Sequence, residues 1–263
     1  MRILILLLIL FAVDIFAEPN LKSSPKPNWV DKKIYMENGY LYSVGISSYL
    51  YSVGISSLSK IEYSKKSADY DANFNLSSFL NLKVRIADET SKNSTDITLN
   101  TSTEITFSNV KTMNYWIDKK NKLIYSLVKA SIVLINNMNH NIISKDIIEM
   151  LKRNTVNKKI KNNSTWIKDS VKIVKIDGKE YYHVVGKNEY LGDLPMTIRA
   201  SYDDALKKFV LFVKNDGNKK KNKKKYTINI AGALVIETYI NPKNKDVYVL
   251  MEISKDLFEK FNK

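Results

Sequence analysis

Apolar residues recur along this chain at two different spacings. Ile61, Ala68, Ala72, Leu76 and Leu80 fall at helical intervals, and Ile198, Ala205, Phe209 and Phe212 repeat that spacing later. After the first helical stretch, Leu82, Val84 and Ile86 alternate with polar residues. Ile97, Leu99, Thr101, Thr103, Ile105 and Phe107 then take one parity, with Thr98, Asn100, Ser102, Glu104, Thr106 and Ser108 on the other. That alternation predicts a half-buried antiparallel strand or hairpin. In the second half, Phe209 to Val213, a turn at Asn215-Asp-Gly217 and the run Tyr226 to Ile236 are assigned the same parts. Between the halves, Ser144 is expected to cap a helix carrying Ile147 and Leu151 on one face, with Ile143 and Ile148 as its staple. The polar stretch Arg153 to Asn163 reads as a linker.

The order of these parts occurs twice. Pro27-Asn-Trp29 and Ser164-Thr-Trp166 open each half, followed by strands ending at Val44-Gly45 (or Val53-Gly54) and at Val185-Gly186. Each half closes on a hairpin pattern: Trp116-Ile-Asp-Lys-Lys-Asn-Lys-Leu-Ile-Tyr125 aligns without gaps to Tyr239-Ile-Asn-Pro-Lys-Asn-Lys-Asp-Val-Tyr248. A shorter repeat sits inside the first half, where Leu41 to Tyr49 is followed at once by the near-identical Leu50 to Leu58. Its odd period would put Val53 and Ile55 opposite in facing to Val44 and Ile46, so one continuous strand cannot bury both copies. The expected fold is α+β: two similar units, each reading strand, helix, then three antiparallel strands, with the helix packed on one face of the sheet. The units are assigned to residues 18–140 and 164–263, joined by a helix and linker over 141–163.

Residues 1–17 have the form of a secretory signal peptide. Arg2 precedes an unbroken apolar run from Ile3 to Val13, and Asp14 to Ala17 leads into the polar Glu18-Pro-Asn20. A run of that length falls short of the roughly 20 residues a membrane-spanning helix needs. Cleavage after Ala17 is the expectation, although Ile15 is large for its position. The chain is strongly basic, with 42 Lys+Arg against 27 Asp+Glu, and it has no cysteine. Disulfides, thiolate metal sites and an acylated N-terminal Cys are thereby excluded.

The Pro-x-Trp opening, the Tyr-x-Val-Gly strand, the Ala-spaced helix and the closing Trp-x-Asp to Tyr-x-Leu-Val hairpin together resemble the LPP-twenty lipoprotein family of bacterial outer-membrane proteins, which includes FlgP-related members. The residues carrying the resemblance are Pro27, Trp29, Tyr42 or Tyr51, Val44-Gly45 or Val53-Gly54, Ala68, Ala72, Trp116, Asp118, Tyr125, Leu127 and Val128. They span residues 25 to 135, with a looser copy over 164 to 255. The resemblance implies a non-catalytic protein of the cell envelope, with outer-membrane or flagellar proteins, or further copies of itself, as partners. The chain departs from the family in lacking the lipid-acceptor cysteine. The expectation is therefore a periplasmic, secreted or partner-held protein without a lipid anchor or a transmembrane span after signal removal.

Catalytic chemistry has little support in the residues. His140 and His183 have no second histidine or carboxylate at a ligand spacing, and Asp203-Asp204 are neighbours that would not share a helix face. No G-x-G, G-x-S-x-G or H-E-x-x-H pattern occurs. No catalytic residue, metal or cofactor is assigned. Trp29, Trp116 and Trp166 read as core anchors, and Gly45, Gly54, Asp118 and Tyr125 as structural positions of the motif. The candidate anion site is the run Lys219, Lys220, Lys221, Lys223, Lys224 and Lys225, a solvated loop between two strands of the second unit. It suits lipid headgroups, an acidic surface polymer or an acidic partner, although the Lys- and Asn-rich composition of the whole chain is the favoured account of it. Nucleic acid is not expected as a partner of an exported protein whose aromatics lie in strand patterns. Changing those six lysines to glutamine should abolish retention on an immobilised acidic polysaccharide at low salt; undiminished retention removes the loop as an anion site.

Overall fold

The computed structural model describes residues 24–48, 57–80, 82–91, 94–103, 110–132, 145–155, 164–168, 170–216 and 225–262. Residues 1–17, read above as a signal peptide, His140, Ser144, and the second nine-residue copy up to Ser56, Gly54 included, lie outside them.

The first unit opens with a 3-10 turn at Asn28–Asp31 and the hairpin β1 (Ile34–Glu37) and β2 (Tyr40–Ser48). Asn38 and Gly39 connect the strands with φ of 49° and 76°, the positive values a tight primed turn requires. Helix α1 (Ser57–Leu80) follows, then β3 (Leu82–Ser91), β4 (Ser94–Thr103), β5 (Lys111–Asp118) and β6 (Leu123–Ser131). Helix α2 (Lys145–Thr155) leads to the second unit. That unit has a 3-10 turn at Ser164–Lys168, β7 (Val171–Ile176), β8 (Lys179–Asn188), α3 (Leu194–Asp216), β9 (Lys225–Ile230), β10 (Leu234–Ile240), β11 (Val247–Ser254) and the short α4 (Lys255–Phe261). Its first hairpin turns at Asp177-Gly178, with φ of 50° and 79°.

Two four-stranded antiparallel sheets result, ordered β1-β2-β6-β5 and β7-β8-β11-β10. The fold is α+β, with α1 on the first sheet and α3 on the second. The repeat extends to fine detail. Trp116 pairs across its hairpin with Tyr125, and Tyr239 with Tyr248, with ring centroids 5.3 and 6.0 Å apart. Both hairpins bulge at the same place, between Thr112 and Asn114 and between Val235 and Glu237, and both turns use a left-handed lysine, Lys122 and Lys245. On the sheet faces away from the helices, Trp29 packs with Val44, Leu127 and Tyr125, and Trp166 with Val185, Leu250 and Tyr248. The 3-10 turns place these tryptophans as anchors.

Two features differ from the sequence expectation. Phe209 to Val213 lies within α3 rather than in a strand. Phe209 and Val210 are buried and the other three partly so, because the helix is covered on an unusually wide face, which gives it an apolar run resembling a buried strand. The third sheet, β4-β3-β9, is also unexpected: Leu82 to Ala87 of the first unit pairs with Lys225 to Ile230 of the second. Leu82 and Val84 are consequently buried with Tyr182, Phe209, Ile228 and Met251, in a cluster built mainly from second-unit residues. Helix α2 seals the junction. Ile147, Met150 and Leu151 pack with Ile34, Leu41, Leu76 and Phe79 of one unit and with Tyr181, Leu234 and Leu257 of the other. The first nine-residue copy forms β2, and α1 begins at Ser57, inside the second copy.

Each helix meets its sheet at one glycine. A Cβ on Gly45 would sit less than 3.0 Å from Ala68 O and from Ala72 N and Cα; on Gly186 it would meet Ser201 O and Ala205 N in the same way. Ala68, Ala72, Ser201 and Ala205 are fully buried, and their small side chains let helix and strand backbones touch. Gly45→Ala and Gly186→Ala should each lower stability by about 3 kcal/mol, since backbone has to move. At Gly192, where φ is +83° and nothing lies within 4 Å, alanine should cost only about 1 kcal/mol. Urea unfolding midpoints of the three variants provide the comparison.

Candidate functional site

Strand β2 continues past the end of β1, which leaves one edge of Val44 to Ile46 without a neighbouring strand; the last contact is Val44 N–H to Lys33 O at 2.9 Å. Helix α1 supplies the missing partners. Asp71 Oδ2 accepts from Ile46 N–H at 2.9 Å, and the Asn75 amide donates to Val44 O at 3.1 Å. The second unit repeats this device with Asp204 accepting from Lys187 N–H at 2.8 Å and Lys208 Nζ donating to Val185 O at 3.0 Å. The spacing of Asp and Asn (or Lys) is one helical turn, which aims both at one stretch of strand. The chain marks the pattern as Asp-Ala-x-x-Asn and Asp-Ala-x-x-Lys, beginning at Asp71 and Asp204. Its meaning was not legible without the strand edge.

In the second unit this edge is half-exposed, and Lys208 also pairs with Asp204 at 2.8 Å. In the first unit it is covered by the start of α3 and by Ala233 to Val235. Between them lies a cavity of about 80 Å³, walled by Val30, Val44, Tyr125, Ile198 and Leu234 and reached by Lys33, Asp71, Ser78 and Arg199. The Arg199 guanidinium carbon lies 3.5 Å from the centroid of Phe74, and Nε is 3.9 Å from Asp203. Burial pulls Lys33 below its ordinary value, against the attraction of Asp71 and Asp31. Burial likewise pushes the Asp71 carboxyl up, against the Ile46 N–H, Lys33, Arg199 and Asn75. The Ser78 hydroxyl, 3% exposed, has no hydrogen-bond partner among the described residues.

Trp29, Gly45, Trp116, Asp118 and Tyr125 all hold structural positions. Trp116 Nε1 donates to Ser24 O at 3.1 Å, and Asp118 closes the β5-β6 turn by accepting from Asn121 N–H at 3.1 Å. Tyr125 also contributes to the cavity wall, and burial pushes its phenol up to about 12. Lys219 to Lys224 lie outside the described residues, and Lys225 begins β9. His183 acquires a carboxylate that local spacing could not reveal: strand pairing sets it opposite Glu252, with Nε2 to Oε2 at 2.9 Å. Asp203 and Asp204 point apart, one toward Arg199 and the other to Lys187 and Lys208. Among the described residues no group of three His, Asp or Glu could hold a metal ion, and no helix is long and apolar enough to cross a membrane. No protein-family model matches the chain, and no similar curated protein or solved structure is found.

An acid whose folded value is raised keeps its proton where the unfolded chain has lost it. Stability therefore falls as pH rises from the unfolded value toward the folded one. Asp71→Asn removes this titration. Its stability relative to the parent chain should rise with pH across that window, as read by urea unfolding at steps from about pH 4 to 8.

Proposed function

We propose that this protein is an exported, non-catalytic assembly or scaffold component of the bacterial cell envelope, a tandem of two LPP-twenty-like units that joins outer-membrane or flagellar proteins, or further copies of itself, through its sheet edges. The observation that carries this reading is the β3-β4 hairpin. Its ten residue pairs run in unbroken register from Leu82↔Thr103 to Ser91↔Ser94, while β9 covers β3 only as far as Ala87. Strand β4 thus offers a ten-residue edge with no third strand among the described residues, and the last four pairs extend beyond β9. Open edges of this length present a row of backbone donors and acceptors, and proteins that remain monomeric generally shorten, charge or cover them. The leader pattern of residues 1–17 supports export, and the doubled unit supports a structural role.

Cross-linking the native envelope should recover this chain with flagellar or outer-membrane partners or as a multimer, with an N-terminus near Glu18. Placing charge on the edge strand, Thr98→Lys with Asn100→Lys, should shift the sedimenting species to monomer while leaving the circular dichroism spectrum unchanged. Recovery of a free monomer from the envelope, unaffected by these changes, excludes the scaffold reading.

A further inference from the structure

The cavity beside β2 brings together groups that a plain water pocket does not call for. Lys33 and Arg199 approach it with positive charge, Asp71 with negative charge, and Ser78 with a buried hydroxyl lacking a partner among the described residues. The walls between them are aliphatic, from Val30, Ile34, Val44, Ile198 and Leu234. A simple anion would be attracted by the two cations and repelled by Asp71; a simple amine would meet the opposite balance. A molecule carrying carboxylate and ammonium on neighbouring atoms satisfies both. Size narrows the class further, since about 80 Å³ is far below the roughly 300 Å³ at which sites for drug-sized ligands begin. Arg199 keeps donors to spare, because its contact with Asp203 is long and uses one of five N–H groups.

We propose that this cavity binds a small zwitterionic amino acid of glycine or alanine size, its carboxylate directed to Lys33, Arg199 and the Ser78 hydroxyl and its ammonium to Asp71. A methyl side chain would lie against the valine and isoleucine walls. Residues of both units would contact the ligand, Lys33, Asp71 and Ser78 from the first and Arg199 from the second. Binding would therefore strengthen the junction between them. The proposal stands independently of the scaffold reading.

The test uses the full chain and L-alanine, followed by isothermal titration and by chemical-shift changes. Saturable one-to-one binding in the millimolar range or tighter is expected. Propionate and ethylamine, each lacking one of the two charges, should bind at least about tenfold more weakly. Ser78→Ala should weaken alanine about threefold to tenfold through loss of one hydrogen bond. Lys33→Met should abolish binding, with circular dichroism as the check on folding; should that variant not fold, Arg199→Gln makes the same test from the other wall. No saturable binding of alanine, equal affinity for all three probes, or unchanged affinity in both Ser78→Ala and Arg199→Gln would overturn the proposal and leave the charges as a structural cluster.

Discussion

Contact between helix backbone and strand backbone at Gly45 and Gly186 is the constraint on which both units rest. The missing Cβ brings α1 and α3 close enough for Ala68 and Ala72, or Ser201 and Ala205, to lie directly on the sheet. At that separation the side chains one turn apart on the helix, Asp71 with Asn75 and Asp204 with Lys208, reach the open strand edge beside the glycine. A larger residue at either glycine would lift the helix and uncover backbone groups as well as apolar area. Close packing and hydrogen-bond satisfaction are thus coupled through one residue in each unit.

The doubled architecture does not yield two independent cores. Strand β3 leaves α1 and crosses to pair with β9, which puts Leu82 and Val84 under α3, while Gly232 N–H donates to Phe79 O at 2.7 Å. Helix α2 then fills the remaining gap with Ile147, Met150 and Leu151. Through these three residues the connecting segment is core rather than spacer. The outer faces stay separate, each closed by its own tryptophan against a Val, a Leu and a Tyr in equivalent positions.

Local physics made much of this legible in the chain. The helical stripe through Ala68, Ala72 and Leu76 and the aligned Trp116 and Tyr239 hairpins depend on residues close in sequence, and each lies where its pattern implied. Phe209 to Val213 misled because periodicity cannot separate a helix buried on a wide face from a buried strand. The β3-β9 pairing was invisible for a different reason: strand partners distant in sequence leave no mark in either strand's own alternation. Glu252 opposite His183 is the same limitation at the level of one side chain. The cavity required both, since Lys33, Asp71 and Arg199 lie on three separate elements.

The two edge devices also explain why a polar cavity arises in only one of them. Where the edge faces solvent, the chain places Lys208 beside Asp204, and the pair is half-exposed at little desolvation cost. Where the second unit covers the edge, a lysine at the equivalent position would be buried against the start of α3, and the chain has the neutral Asn75 there instead. Asp71 is still needed to accept from Ile46 N–H, so a carboxyl remains there although burial disfavours its charge. Lys33 and Arg199 approach that charge from the flanking elements without closing on it as Lys208 does on Asp204. Covering a repeated motif with its own second copy thus converts a solvated ion pair into opposed charges around a small space, which is the chemistry a zwitterion can complete.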